Sequence, residues 1–291
     1  MPGIALPESY IITYQVKEVG CKAGSSMALP NRVSALFRYL EQLQAGAPWG
    51  HLLDAGTGVK SLQWISTLPT ESWTAVTASP NMAKSTLKYY PGKPRPQDRL
   101  KVGNWTDESL LAGEQFDTVL LDYFIGAIDG FAPYWQDLAL ERFKPLVKKQ
   151  LYIVGLEPYV PVFASDEVGR FIGDLGRLRD ACLLLAGERP YREYPSDWVV
   201  RHLARAGFQV THGKRFPIRY RERFVQSQLG MCRTRIERFA DPAVGQAMLK
   251  HVSDMEQRGK DLATRYEGLP HGYNYVIQAR PEDFKHTGRP G

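Results

Sequence analysis

From residue 31 to 44, apolar Val33, Leu36, Phe37, Leu40 and Leu43 recur at three- and four-residue steps, which predicts an amphipathic helix following Pro30. GlyAlaProTrpGly then breaks it. The short apolar stretch 51–54 ends in an acid and a Gly-rich turn, and helical spacing resumes over 59–68 through Leu62 and Ile65. The order there is strand, turn, helix. Further apolar runs at 73–77, 100–103, 116–122 and 151–157 are strand candidates, separated by helical or loop stretches such as 81–90 and 133–146. Such alternation predicts an α/β fold with a parallel sheet and helices on both faces. The proline-rich 91–96 is a connector.

The rhythm changes in the second half. Residues 166–187 read as a helix, Ser196 can cap a helix through 206 that stops at Gly207, and 208–212 reads as a strand. AspPro at 241–242 opens a long helical run reaching about residue 265, and alternation over 271–280 predicts a final strand. Without a repeat or a long linker, the expectation is one domain over 1–291. Its parts are a helical cover (1–47), a core (48–160), a helical lid or insertion (161–206), and closing strands and helices (207–291).

Composition narrows the class. With 43% hydrophobic residues in 291, extended disorder is excluded. No window reaches the ~18 uninterrupted apolar residues of a membrane-spanning helix, and no basic-then-apolar leader opens the chain, so a cytoplasmic protein off the membrane is expected. Cys21, Cys182 and Cys232 form no CxxC pair, and the six histidines show no ligand spacing, so neither disulfide framework nor metal site is expected. The net charge of +6 permits an anionic partner but is small for this length.

The chemistry concentrates at LeuLeuAspAlaGlyThrGlyVal (52–59), a D-x-G-x-G turn between a strand and a helix. Gly56 and Gly58 are expected to take positive φ or to admit a ligand close to the backbone, and Asp54 at the strand end can accept a hydrogen bond from an ammonium or a water. A dinucleotide fingerprint would require glycine at Ser61, and a phosphate-binding P-loop would require GlyLysSer or GlyLysThr.

This turn resembles the first motif of the class I S-adenosylmethionine-dependent methyltransferases. The order of later signals follows that family: TrpThrAlaValThrAlaSerProAsnMet (73–82), ValGlyAsnTrpThr (102–106), the run 116–129 with Asp122, Tyr123 and Phe124, and LeuTyrIleValGlyLeuGluPro (151–158). The resemblance implies a Rossmann-like, seven-stranded, mostly parallel sheet with an antiparallel last strand, and S-adenosylmethionine as cofactor, leaving S-adenosylhomocysteine. It implies Asp54, Gly56, Thr57 and Gly58 at the methionine end, Thr77 and Ser79 near the ribose, Asn104 and Trp105 near the adenine, and Asp122 and Tyr123 at the mouth of the cleft. Thr77 departs from the family, which has an acid there that grips the ribose hydroxyls; a threonine offers only a neutral hydrogen bond.

Methyl transfer from a sulfonium is an in-line displacement, so the protein must chiefly align the reactants and exclude water. A base is needed only for a protonated acceptor; Tyr123, Asp129 and Glu157 are the candidates, with Asp122 nearby. Phe124, Tyr134 and Trp135 could wall an acceptor pocket, though each suits a core or helix-start role equally. Residues 191–198 could belong to a lid or to the start of a surface helix. The densest basic run, 214–224, interleaves arginines with aromatics. It reads as a solvated face, a carboxylate clamp through Arg219, or a nucleic-acid contact.

The leading expectation is a small-molecule methyltransferase whose acceptor atom is nitrogen, oxygen or sulfur, with no nucleic-acid partner and its oligomeric state open. The alternatives are an aminopropyltransferase of the spermidine synthase-like type, an RNA methyltransferase, and a non-catalytic binding protein on the same fold.

Overall fold

Strands shut away on both faces read as continuous apolar runs, and the centre of this fold is built from such runs: Leu52, Leu53, Asp54 and the first six residues of 116–122 are all buried. A computed structural model describes residues 12–14, 33–160 and 164–283. In chain order the elements are β1 (Ile12–Tyr14), α1 (Ala35–Gln44), β2 (His51–Asp54), α2 (Val59–Ile65), β3 (Ser72–Thr77), α3 (Pro80–Lys88), β4 (Arg99–Val102), β5 (Phe116–Asp122), α4 (Phe124–Ala127) and α5 (Gln136–Phe143). There follow β6 (Val147–Leu156), α6 (Glu167–Leu185), α7 (Ser196–Arg205), β7 (Phe208–Tyr220), α8 (Glu222–Ile236), α9 (Pro242–Arg265) and β8 (Leu269–Pro281).

The strand order is β1-β4-β3-β2-β5-β6-β8-β7. From β4 through β6 neighbouring strands run parallel, with Asp54 of β2 opposite Leu120 of β5. The seven strands from β2 onward form the expected mostly parallel sheet with its antiparallel last strand, and β1 adds an antiparallel edge beside β4. From β2 the chain winds outward to β3 and β4, then returns to β5 and winds the other way. The β2/β5 junction is therefore the switch point, and ligands of open α/β sheets bind at the carboxyl ends of such strands.

The chain groups into two compact units. Unit 1 comprises residues 1–154, 197–214 and 276–291, and its core includes Leu52, Trp73, Val76, Val119, Leu121, Phe143, Ile153 and Val276. Unit 2 comprises 155–196 and 215–275, and its core joins Phe171, Ile172 and Leu175 of α6 to Val225 and Leu229 of α8 and to Val252, Met255 and Leu262 of α9. These bounds are not those of the insertion expected at 161–206.

Several elements differ from the sequence reading. β7 extends eight residues beyond the expected 208–212, so part of the basic run is strand, and the remainder opens α8, which the reading lacked. The helical or loop stretch expected over 133–146 holds α5 and a 3-10 turn at 144–146, with Tyr134 left-handed at φ 65° just before α5. The 1–47 cover lies largely outside the described residues, as do Cys21 and Asn31; within it stand β1 and α1. Among the described residues, no helix is long and apolar enough to cross a membrane.

Candidate functional site

The Gly-rich turn is pinned from three sides within unit 1. The Ala55 amide donates to the Leu120 carbonyl at 3.0 Å, which ties the turn to β5. The Thr57 amide donates to the Val76 carbonyl at 2.8 Å, which ties it to β3. The Trp105 indole N–H donates to the Ala55 carbonyl at 2.7 Å. Trp105 is itself buried, edge-on to Phe143 at 4.6 Å.

Inside the turn, Ser61 Oγ accepts from the Gly58 amide at 3.0 Å and donates to Asp54 Oδ2 at 2.8 Å. In the sequence pattern Ser61 stands out only as the position where a dinucleotide fingerprint has glycine. The expectation of positive φ at Gly56 and Gly58 is corrected: neither residue lies in the left-handed region. Their bareness serves proximity instead. A Cβ on Gly56 would stand 3.0 Å from Phe124 Cδ2, whereas one on Gly58 would meet nothing within 4 Å.

The electrostatics are unusual for a structural turn. Asp54 is fully buried, and its Oδ1 has no hydrogen-bond partner among the described residues; nor have the buried atoms Thr57 Oγ1 and Asp122 Oδ1, the latter at the end of β5. Burial pushes the Asp54 carboxyl up to about 6. The Ser61 hydroxyl pulls against this, as do the Thr57 hydroxyl and the Gly56 amide, which favour the charged form without reaching hydrogen-bond geometry at Oδ1. Burial, reinforced by the Asp54 charge, pushes Asp122 up to about 7. Two carboxyls removed from water and repelling each other are a standing cost unless a cation joins them.

Immediately after Asp122 the backbone turns sharply: Tyr123 lies at φ 50°, ψ 20°, a left-handed step rare for a bulky residue, and its amide donates to the Val154 carbonyl. Phe124 is buried and stands edge-on to Phe143 at 5.2 Å, which makes it a wall behind Gly56. Asp129 is buried, with Oδ1 accepting from Gln136 Nε2 at 2.9 Å. Tyr134 is 79% exposed, and Trp135 is the partly buried N-cap of α5.

The polar groups expected near the nucleoside are engaged locally. Thr77 Oγ1 accepts from the Ser79 amide, and Ser79 Oγ caps α3 through the Met82 amide, both at 3.2 Å. Asn104 accepts from the Thr106 amide and donates to the Phe131 carbonyl at 2.9 Å. Asp54, Thr57 and Asp122 are thus brought together. Glu157 and Arg219 belong to unit 2. There Glu157 accepts from Ser196 and from Arg215 Nε at 2.8 Å, and Arg219 Nη1 donates to the Tyr266 carbonyl at 2.7 Å.

No family model and no curated protein sequence matches the chain. Solved structures do match in fold. A cyclopropane-fatty-acyl-phospholipid synthase-like protein from Lactobacillus casei superposes with a TM-score of 0.55 at 10% identity, over 83% of this chain and 88% of that one. A proposed methyltransferase from Bacillus halodurans gives 0.52 at 15% identity, over 83% and 98%. The YcgJ protein of Bacillus subtilis gives 0.51 at 16% identity, over 84% and 98%. At such identities the likeness is one of fold.

Proposed function

We propose that this protein is an S-adenosylmethionine-dependent methyltransferase acting on a small molecule in the cytoplasm. One observation carries the reading: three buried polar atoms without partners among the described residues, Asp54 Oδ1, Thr57 Oγ1 and Asp122 Oδ1, gather at the switch point of the sheet. Paired carboxyls in that state call for a hydrogen-bonding cation, and the ammonium at the amino-acid end of the cofactor is one. The open space beside Gly58 fits the same guest. The fold shared with the Bacillus halodurans protein supports the reading.

When bound, the cofactor supplies an electrophilic methyl group on a sulfonium. The chain's own residues position and shield it. Asp54 and Asp122 would accept from the ammonium, while Ser61 donates to Asp54 and Trp105 ties down the turn through Ala55. Thr77 and Ser79 would offer the ribose neutral groups only, and Asn104 would have for the base just the second N–H and lone pair that its bonds to Phe131 and Thr106 leave. Of the three candidate bases, Tyr123 stands beside Asp122 in the chain, while Asp129 and Glu157 are already bonded to Gln136 and to Ser196 with Arg215.

Calorimetric titration with S-adenosylhomocysteine tests the cofactor assignment: saturable binding is expected, and no heat together with no thermal shift overturns it. A second reading, a binding protein without transfer activity, is favoured by the neutral Thr77 where the family has an acid. Incubation with methyl-labelled cofactor and a panel of amines, phenols and thiols separates the two, because only an enzyme labels an acceptor.

A further inference from the structure

Unit 2 carries a shallow recess, open to solvent, whose walls include Tyr159, Arg179, Tyr191, Arg192 and Glu193. Arg179, on α6, is only 9% exposed. Its Nε and Nη2 donate to Asp180 Oδ1 at 3.0 and 2.9 Å, and its Nη1 donates to the Tyr159 hydroxyl at 2.6 Å. The guanidinium centre lies 5.7 Å from the Tyr159 ring and 5.9 Å from the Tyr191 ring. A guanidinium carries five N–H groups, so these three bonds leave one on each terminal nitrogen for a further acceptor.

The charge balance of the recess is uneven. Arg192 Nη1 lies 2.8 Å from Asp180 Oδ2, so a single acid serves two guanidinium groups. Glu193 makes no hydrogen bond or ion pair among the described residues. Burial lifts it to about 7, against the pull of Arg179; Tyr159, Tyr191 and Tyr275 are the other titratable groups facing it. With Glu193 protonated, the recess holds one surplus positive charge.

We propose that this recess binds the carboxylate of a small organic acid, received by the free N–H groups of Arg179 and by Arg192 and flanked by the rings of Tyr159 and Tyr191. A planar monoanion matches both the planar fork and the single surplus charge, whereas a phosphate dianion would overfill it. Protonated Glu193 adds a hydrogen-bond donor, and the arriving anion holds that proton in place. As a carboxylate site it stands on unit 2 alone and is independent of the function proposed above.

Benzoate titrated into the full chain at about pH 7, followed by calorimetry and saturation-transfer NMR, is the test. Saturable binding is expected, with proton uptake visible as a heat that depends on the buffer and disappears in Glu193→Gln. Benzamide, the neutral isostere, should not bind. Arg192→Gln, a change at a half-exposed side chain, should weaken benzoate about tenfold or more with an unchanged melting curve. Arg179→Lys should weaken it further.

Absence of saturable benzoate binding overturns the proposal, as does equal affinity in Arg192→Gln, or tighter binding of inorganic phosphate or benzylamine. S-adenosylhomocysteine titrated separately into the same variants reports on the Asp54 site, so failure of one assignment is distinguishable from failure of the other.

Discussion

The Gly-rich turn of unit 1 and the arginine-rich stretch 215–221 of unit 2 both stand out in the sequence, and the structure treats them in opposite ways. At the turn and the neighbouring end of β5, charge is sparse but unsatisfied: Asp54 and Asp122 each keep a buried oxygen without a partner among the described residues. In the stretch, charge is dense but spoken for. Arg215 bonds Glu157 and Ser196, and Arg219 and Arg221 donate to the carbonyls of Tyr266 and Glu267 at the carboxyl end of α9, where cations suit the unpaired carbonyls. The charges of the stretch are held by local partners, whereas the proposed cofactor site rests on the unmet capacity of Asp54 and Asp122.

The sharpest way to break this contrast is Asp54→Ala. It should weaken S-adenosylhomocysteine by about 10- to 100-fold, the worth of a hydrogen bond to a charged group, read by calorimetry. Unchanged affinity would mean the unsatisfied oxygen is an ornament of the fold.

Next is the pH dependence. Asp54 at about 6 and Asp122 at about 7 are both raised above the unfolded carboxylate value, so their support for the empty fold is complete below about pH 4 and lost as pH climbs through 6 to 7. An ammonium ligand wants the ionised forms, so its affinity should rise severalfold from about pH 5 to 7.5. Asp122→Asn should flatten that rise and shrink the fall in melting temperature of the unliganded protein over the same range.

Trp105→Phe tests whether the indole serves the turn. Loss of the bond to the Ala55 carbonyl should cost about 1 kcal/mol of stability in denaturant unfolding, with ligand affinity moving less than in Asp54→Ala. The smallest effect is expected from Arg219→Ala, an exposed side chain whose loss should stay within about 0.5 kcal/mol. A steep loss of RNA affinity in that variant would restore the nucleic-acid reading of the basic run.

What could be read from sequence follows from where the signal lies. β5 was legible to both ends because a strand buried on both faces is a continuous apolar run. β7 was read short because residues 212–215 and 217 are exposed, with Gly213 and Pro217 inside the strand, so only backbone pairing reveals it. α8 carried its helical period in Val225, Leu229, Cys232 and Ile236, hidden behind the charges that drew attention to 214–224.

At the site, Asp54 was visible because its motif is local. Trp105 and Ala55 are 50 residues apart, and nothing in either neighbourhood announces their bond. The Arg179 recess left no local trace for the same reason: an arginine within a helix acquires its meaning from Tyr159 and from the 191–193 segment.

Gly58 sits at φ −127°, a backbone angle open to any residue, with empty space where a side chain would begin. A methyl group placed there would be invisible to the polypeptide and an obstacle to a visitor. Folding and occupancy can thus be uncoupled at one carbon atom, and the turn's upkeep distinguished from its purpose.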